Sequence, residues 1–180
     1  MAFVDRERLA AAGYIACWRI VRYLPRPLAA WLFERGADYA SDNGKGMEQL
    51  RRNLSRVVGP ENVTRDLVRD SMRSYVRYWL EAFRLPAIHS DPRLHERLLT
   101  GMRGKEHSDA SIASGRGVIF ALTHSGNWDM AGVFCVNHYG GFTTVAERVK
   151  PEVLFDAFVD YRESLGFTVV PLTGGSAAPY

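Results

Sequence analysis

The stretch Val118-Ile119-Phe120-Ala121-Leu122-Thr123-His124-Ser125-Gly126-Asn127-Trp128-Asp129 decides the fold. An apolar, β-branched run ends on a histidine, and a helix-forming pattern starts shortly afterwards. This predicts a buried strand over 118–123 that turns into a helix over 127–139. The alternation then continues with a strand over 142–147, a helix over 151–165 opened by Pro151, and a strand over 167–172. A β-α-β-α-β order implies parallel strands joined by right-handed crossovers, and therefore an α/β fold. Open sheets of this kind place their chemistry at the carboxyl ends of the strands, where His124 falls.

Upstream of this unit the pattern is helical. Helices are expected over about 3–23, stopped by Pro25-Arg26-Pro27, and over about 27–41, ended by Asp42-Asn43-Gly44. A third covers about 45–57 before Gly59-Pro60, and a long fourth runs over about 64–84 and closes before Pro86. A short helix follows Asp91-Pro92, with the aspartate as cap and the proline in the first helical position. The expected organisation is one α/β domain over 1–180, with a helical part at 1–114 and a parallel β/α part at 115–180. Three parallel strands make a small sheet, so the chain reads as part of a longer domain.

Composition narrows the function classes. With 180 residues and 47% hydrophobic content, one sizeable core is affordable. The net charge of +3 hides an asymmetry: residues 1–104 carry 18 Lys+Arg against 12 Asp+Glu, and residues 105–180 carry 5 against 8. Arginine supplies most of the cations, and its planar fork suits phosphate. The basic half points to an anionic partner or to a solvated face. Cys17 and Cys135 lie far apart in apolar surroundings, without metal-ligand spacing. The apolar run 9–24 is broken by Arg19 and Arg22 and is shorter than the ~20 residues a membrane span needs. It reads as an amphipathic or buried helix.

The candidate chemistry centres on His124 and Asp129. A carboxylate five residues after a histidine, in the first turn of a helix, can orient an imidazole acting as general base. The helix start near Asn127 offers backbone N–H groups to a developing oxyanion, and Gly126 lets a substrate approach the backbone closely. The plain structural alternative is that Asp129 favours the positive helix end and His124 is a loop residue. Glu147 and Arg148 end the second strand, on the same sheet edge as His124, and Arg162 lies in the next helix. Arg148 and Arg162 suit a phosphate, and Glu147 is placed to pair with Arg162. Ordinary strand-end charge pairing explains the same residues.

Two further patterns stand out. Arg65, Arg69, Arg73 and Arg77 recur every four residues, and the nearby Asp66 and Asp70 favour a solvated ion-pair ridge over a lipid contact. Tyr14, Trp18, Tyr23, Trp31 and Phe33 interleave with Arg19, Arg22, Arg26 and Arg35, which suits either a membrane interface or helices packed on a core. His89, His95, His107 and His138 lack compact ligand spacing, so no metal is expected. A Gly-x-Ser-x-Gly elbow, a phosphate-binding loop and a dinucleotide fingerprint are all missing. Nucleic-acid binding is not expected, because the basic residues lie on helices whose aromatics read as core.

The run from Gly115 to Asp129 resembles the acyltransferase signature of the bacterial lipid A lauroyl/myristoyl acyltransferase superfamily. Arg51-Arg52-Asn53-Leu54, Tyr78-Trp79-Leu80-Glu81, Glu147-Arg148-Val149 and Arg162-Glu163-Ser164-Leu165-Gly166-Phe167 resemble further segments of it. The His-Ser-Gly-Asn-Trp-Asp-Met-Ala-Gly wording is similar to the actinobacterial branch acting on phosphatidylinositol mannosides. The resemblance implies transfer of a long acyl chain, palmitoyl, from acyl-CoA to a mannose hydroxyl of such a glycolipid. His124 is then the base and Asp129 its supporting carboxylate, with Gly126, Asn127, Glu147, Arg148 and Arg162 on the substrate side. It implies acyl-CoA as co-substrate with no further cofactor, and a peripheral enzyme at the anionic cytoplasmic face of the plasma membrane. The family's pattern continues beyond the length present here. The alternatives are an acyltransferase fragment that binds acyl-CoA or anionic membrane without turnover, and a hydrolase using the same histidine.

Overall fold

Proline and glycine punctuate the chain, and the helices start and stop around them. The computed structural model describes residues 12–13, 15–16, 18–123 and 125–172. Among the described residues, after a helical stretch that ends at residue 21, come α1 (Arg26–Ala40), α2 (Glu48–Val58), α3 (Arg65–Ile88), α4 (Pro92–Gly101) and α5 (Lys105–Ala113). Then follow α6 (Trp128–Tyr139), β1 (Thr143–Glu147), α7 (Glu152–Ser164) and β2 (Thr168–Leu172). The chain gathers into two compact units. One is Arg19–Arg84, and the other joins the segment ending at Trp18 to everything from Leu85 onward.

In the Arg19–Arg84 unit, polar side chains fasten the helix ends. Residues 18–21 are helical. Arg84 Nη1 donates to the carbonyls of Leu24 and Val21 at 2.6 and 3.2 Å, satisfying acceptors that a helix terminus leaves open. Asp38 is buried on α1 and receives both Nε and Nη2 of Arg73 from α3, each at 2.7 Å. This bidentate hydrogen bonding holds the Asp38 carboxyl below its usual range. Gly44 has φ +80° and passes so close to α3 that a Cβ there would lie 2.0 Å from the Arg65 carbonyl oxygen. Arg51 clamps this turn through the carbonyls of Gly44 and Gly46. Two of the four ridge arginines are paired: Arg69 with Asp66 and Asp70, and Arg73 with Asp38 and Asp70.

The unit from Leu85 onward holds the sheet. β1 and β2 pair in parallel, with Thr143 opposite Thr168 and Glu147 opposite Leu172. The two-residue-short turn of a hairpin cannot join parallel strands, and α7 makes the crossover. The Trp18 ring meets Tyr161 and Phe158 of α7 at centroid distances of 4.8 and 5.5 Å. The helix α4 packs on α6, and Asn137 Nδ2 donates to the His89 carbonyl at 3.3 Å. Val133, Phe134, Leu165 and Phe167 are buried and form much of the core here.

An α/β chain is therefore observed, with helices dominating and a small parallel sheet. Two expectations need correction. The predicted strand over 118–123 is absent: these residues lack regular secondary structure, and Ile119 is 97% exposed. A strand exists only through its hydrogen-bonded neighbour, and among the described residues β1 and β2 pair only with each other. The long helix also does not close before Pro86 but runs through it to Ile88. Proline forfeits one ladder bond, and the amide of His89 bonding Leu85 O at 2.8 Å resumes the ladder beyond it. His124, Tyr14, Cys17 and the tail over 173–180 lie outside the described residues.

Candidate active site

The start of α6 is built by its cap. Asn127 keeps an extended backbone (φ −120°), and its side-chain oxygen accepts the Met130 N–H at 3.1 Å. Gly126, just before it, has φ +68°, a left-handed conformation that suits glycine, and nothing lies within 4 Å of where a Cβ would be. Among the described residues, the approach to the helix start is thus open at this point.

Asp129 sits in the first turn of α6 and is only 3% exposed. A carboxylate at a helix amino terminus is favoured by the dipole, yet burial demands a counter-charge as well. Arg162, in the last turn of α7, supplies it, with Nε donating to Asp129 Oδ1 at 3.4 Å. This corrects the expected pairing of Arg162 with Glu147. Arg162 turns to Asp129 because the buried carboxylate needs the charge, whereas the exposed Glu147 at the end of β1 is solvated. Arg148 pairs with Glu152 at the start of α7, and its guanidinium lies 5.5 Å from the Phe155 ring centroid.

The structure therefore brings Gly126, Asn127 and Asp129 together at the α6 start and joins Arg162 to them. Arg148 is engaged apart from that group, by the first turn of α7. His124 lies outside the described residues. On either side of it, the hydroxyls of Thr123 and Ser125 are 2.6 Å apart, so the Ser125 hydroxyl is engaged with its neighbour.

One residue that positions the site escaped the sequence reading. Gly132 is buried on α6, and a Cβ there would lie 2.4 Å from Phe167 Cζ and 2.9 Å from Phe142 Cζ. The missing side chain lets α6 seat against the two phenylalanines that precede β1 and β2. Its signal was a glycine inside an apolar helical run, where glycine costs stability unless packing requires it.

A second polar cluster joins α5 to the far end of α6. Asp109 receives Lys105 Nζ at 2.9 Å and the Tyr139 hydroxyl at 3.0 Å, and His138 Nε2 lies 2.9 Å from it. Lys105 and His138 bring the Asp109 carboxyl from an ordinary 3.8 down to about 2. Cys135 is buried on α6, and desolvation pushes its thiol up, away from nucleophilic use. Among the described residues no group of His, Cys, Asp or Glu is arranged to hold a metal ion.

Comparison with known proteins places the chain in a family. Residues 6–176 match the family model described as bacterial lipid A biosynthesis acyltransferase. The chain is 56% identical over 170 residues to the phosphatidylinositol mannoside acyltransferase of Mycolicibacterium smegmatis, covering 93% of this chain and 55% of that protein. It is 50% identical to the protein of the same name from Mycobacterium tuberculosis, covering 93% of this chain and 53% of the relative. The chain thus spans about half the length of the curated relatives it matches.

Proposed function

Because the chain belongs to the bacterial lipid A biosynthesis acyltransferase family, we propose that it carries the base-bearing part of a glycolipid acyltransferase. The donor is a long-chain acyl-CoA, palmitoyl-CoA, and the acceptor is a mannose hydroxyl of a phosphatidylinositol mannoside, the lipid in the relatives' names. The observation that carries this reading is the buried Asp129 on the first turn of α6, charge-compensated by Arg162, five residues after His124.

The step is direct transfer. His124 takes the proton of the sugar hydroxyl as its oxygen attacks the thioester carbonyl. The carbonyl oxygen gains the negative charge, towards which the first turn of α6 directs its positive end. As the C–S bond breaks, the imidazolium returns its proton to the departing CoA sulfur, and free CoA leaves. Asp129 orients the imidazole and stabilises its charged form, and Arg162 keeps Asp129 ionised for that task. Gly126 and Asn127 shape the backbone against which the thioester lies. We place the protein at the cytoplasmic face of the plasma membrane, as a peripheral enzyme. Among the described residues no helix is long and apolar enough to cross a membrane.

Donor competition tests the substrate class. Long acyl chains gain about 0.8 kcal/mol for each buried methylene, so palmitoyl-CoA should outcompete acetyl-CoA by orders of magnitude. Equal use of both donors would contradict a lipid-binding site. Release of free palmitate at the same rate with and without glycolipid would assign a hydrolase instead.

A further inference from the structure

Tyr139 closes α6, and its ring is held from two sides. The hydroxyl donates to Asp109 Oδ1 at 3.0 Å and lies 2.7 Å from Ser108 Oγ, both on α5. The buried Phe134 meets the ring at a centroid distance of 5.8 Å, with the planes at 90°. On this fixed ring lies Phe120, stacked at 6.2 Å between centroids and 26° between planes.

Phe120 belongs to a run that little else secures. Residues 117–123 form no helix or strand, and every one of them is exposed. Among the described residues, hydrogen bonds and ring contacts tie this run to the neighbouring helices at two places. The Ser111 hydroxyl donates to the Gly117 carbonyl at 2.8 Å, and Phe120 stacks on Tyr139. The first tie stands where the run begins. The second comes four residues before His124.

We propose that Tyr139 and Phe120 are positioning residues for acyl transfer, the seated Phe120 ring fixing the run that delivers His124 to Asp129. The proposal rests on the reading of His124 as the base. Helix geometry supports it. Asp129 and Tyr139 stand at opposite ends of α6, about 15 Å apart at ~1.5 Å of rise per residue. The four residues from Phe120 to His124 reach about 13–14 Å when extended. A chain pinned at the far end of α6 therefore has the reach to return His124 to the helix start, with little slack to stray. One helix then places both partners, the carboxylate directly and the histidine through the stacked ring. Freeing the ring lets the run take other paths, and a misplacement of about 1 Å can cost roughly 10²-fold in rate.

The test compares Phe120→Leu, Tyr139→Leu and the double variant in two assays on the full chain. One is palmitate transfer from palmitoyl-CoA to a phosphatidylinositol mannoside. The other is thermolysin cleavage of the native protein within 118–123, which reads the opening of the run independently of any chemistry. Loss of the stack should speed cleavage roughly two- to tenfold. It should lower kcat about ten- to a hundredfold while leaving the KM for palmitoyl-CoA unchanged. The double variant should lose no more than either single one, because both remove the same contact. Phe120→Tyr keeps a ring for stacking and should rescue both readouts. Phe120 is 44% exposed, so Phe120→Leu should stay folded and decides the outcome if Tyr139→Leu does not. Unchanged cleavage of Phe120→Leu would overturn the proposal. So would faster cleavage with an undiminished kcat, since the contact would then be structural only. A wild type that transfers no palmitate, with Phe120→Leu still cleaved faster, would sink the acyltransferase reading and the positioning role with it, while the ring contact itself would stand.

Discussion

Arg162 on the last turn of α7 donates through Nε to the buried Oδ1 of Asp129 on the first turn of α6, at 3.4 Å. This single contact ties the crossover helix of the sheet to the helix that follows His124. It also sets a guanidinium against a carboxylate with only 4% side-chain exposure. Arg162→Ala should strip that compensation and destabilise the fold by about 3 kcal/mol, the low end for a broken buried pair. The low end applies because the bond is long and the arginine side chain keeps 20% exposure. Urea unfolding of the variant measures this, and Asp129→Asn/Arg162→Ala should recover part of the loss.

Gly132 fixes how α6 meets the sheet. Gly132→Ala drives a methyl group into Phe167 and Phe142 and should cost about 1–3 kcal/mol by overpacking. Combining it with Phe167→Leu, which removes the closer ring, should return much of the stability. A glycine substitution without cost would mean that α6 sits further from the strands.

The cap at Asn127 holds the first turn on which Asp129 stands. Asn127→Ala removes the acceptor for the Met130 N–H and should lower stability by about 1 kcal/mol, while Asn127→Asp should preserve it. Thermal midpoints of the two variants distinguish capping from any other role of the side chain.

Acid should loosen the junction of α5 and α6. Asp109 titrates at about 2 in the folded chain against an ordinary 3.8, so the unfolded chain binds the proton more readily. The stabilisation is complete above pH 3.8 and fades as pH falls towards about 2. The wild type should lose stability over that window faster than Asp109→Asn, with unfolding midpoints converging at the acid end. Parallel curves for the two proteins would contradict the assignment.

Much of the architecture was legible in the residues, for reasons that differ by element. α6, α7, β1 and β2 are bounded by Asn127, Pro151 and glycine-containing turns, strong local signals that tertiary context does not override. The 118–123 run was misread because a strand's apolar composition says nothing about whether a neighbour is present to pair with it. α5 went unannounced because Ala110, Ile112 and Ala113 do not repeat at helical spacing. At the site, His124 and Asp129 were visible as a pattern, but the partner of Arg162 was not. Glu147 and Asp129 are equally acidic on paper, and only burial decides which one needs the guanidinium.

The most direct measurement is transfer of labelled palmitate from palmitoyl-CoA to a phosphatidylinositol mannoside by the wild type and by His124→Ala. The account predicts labelled glycolipid from the wild type and a fall of roughly 10²–10⁴-fold in the variant, with its fold intact. Undiminished transfer by His124→Ala would contradict the account.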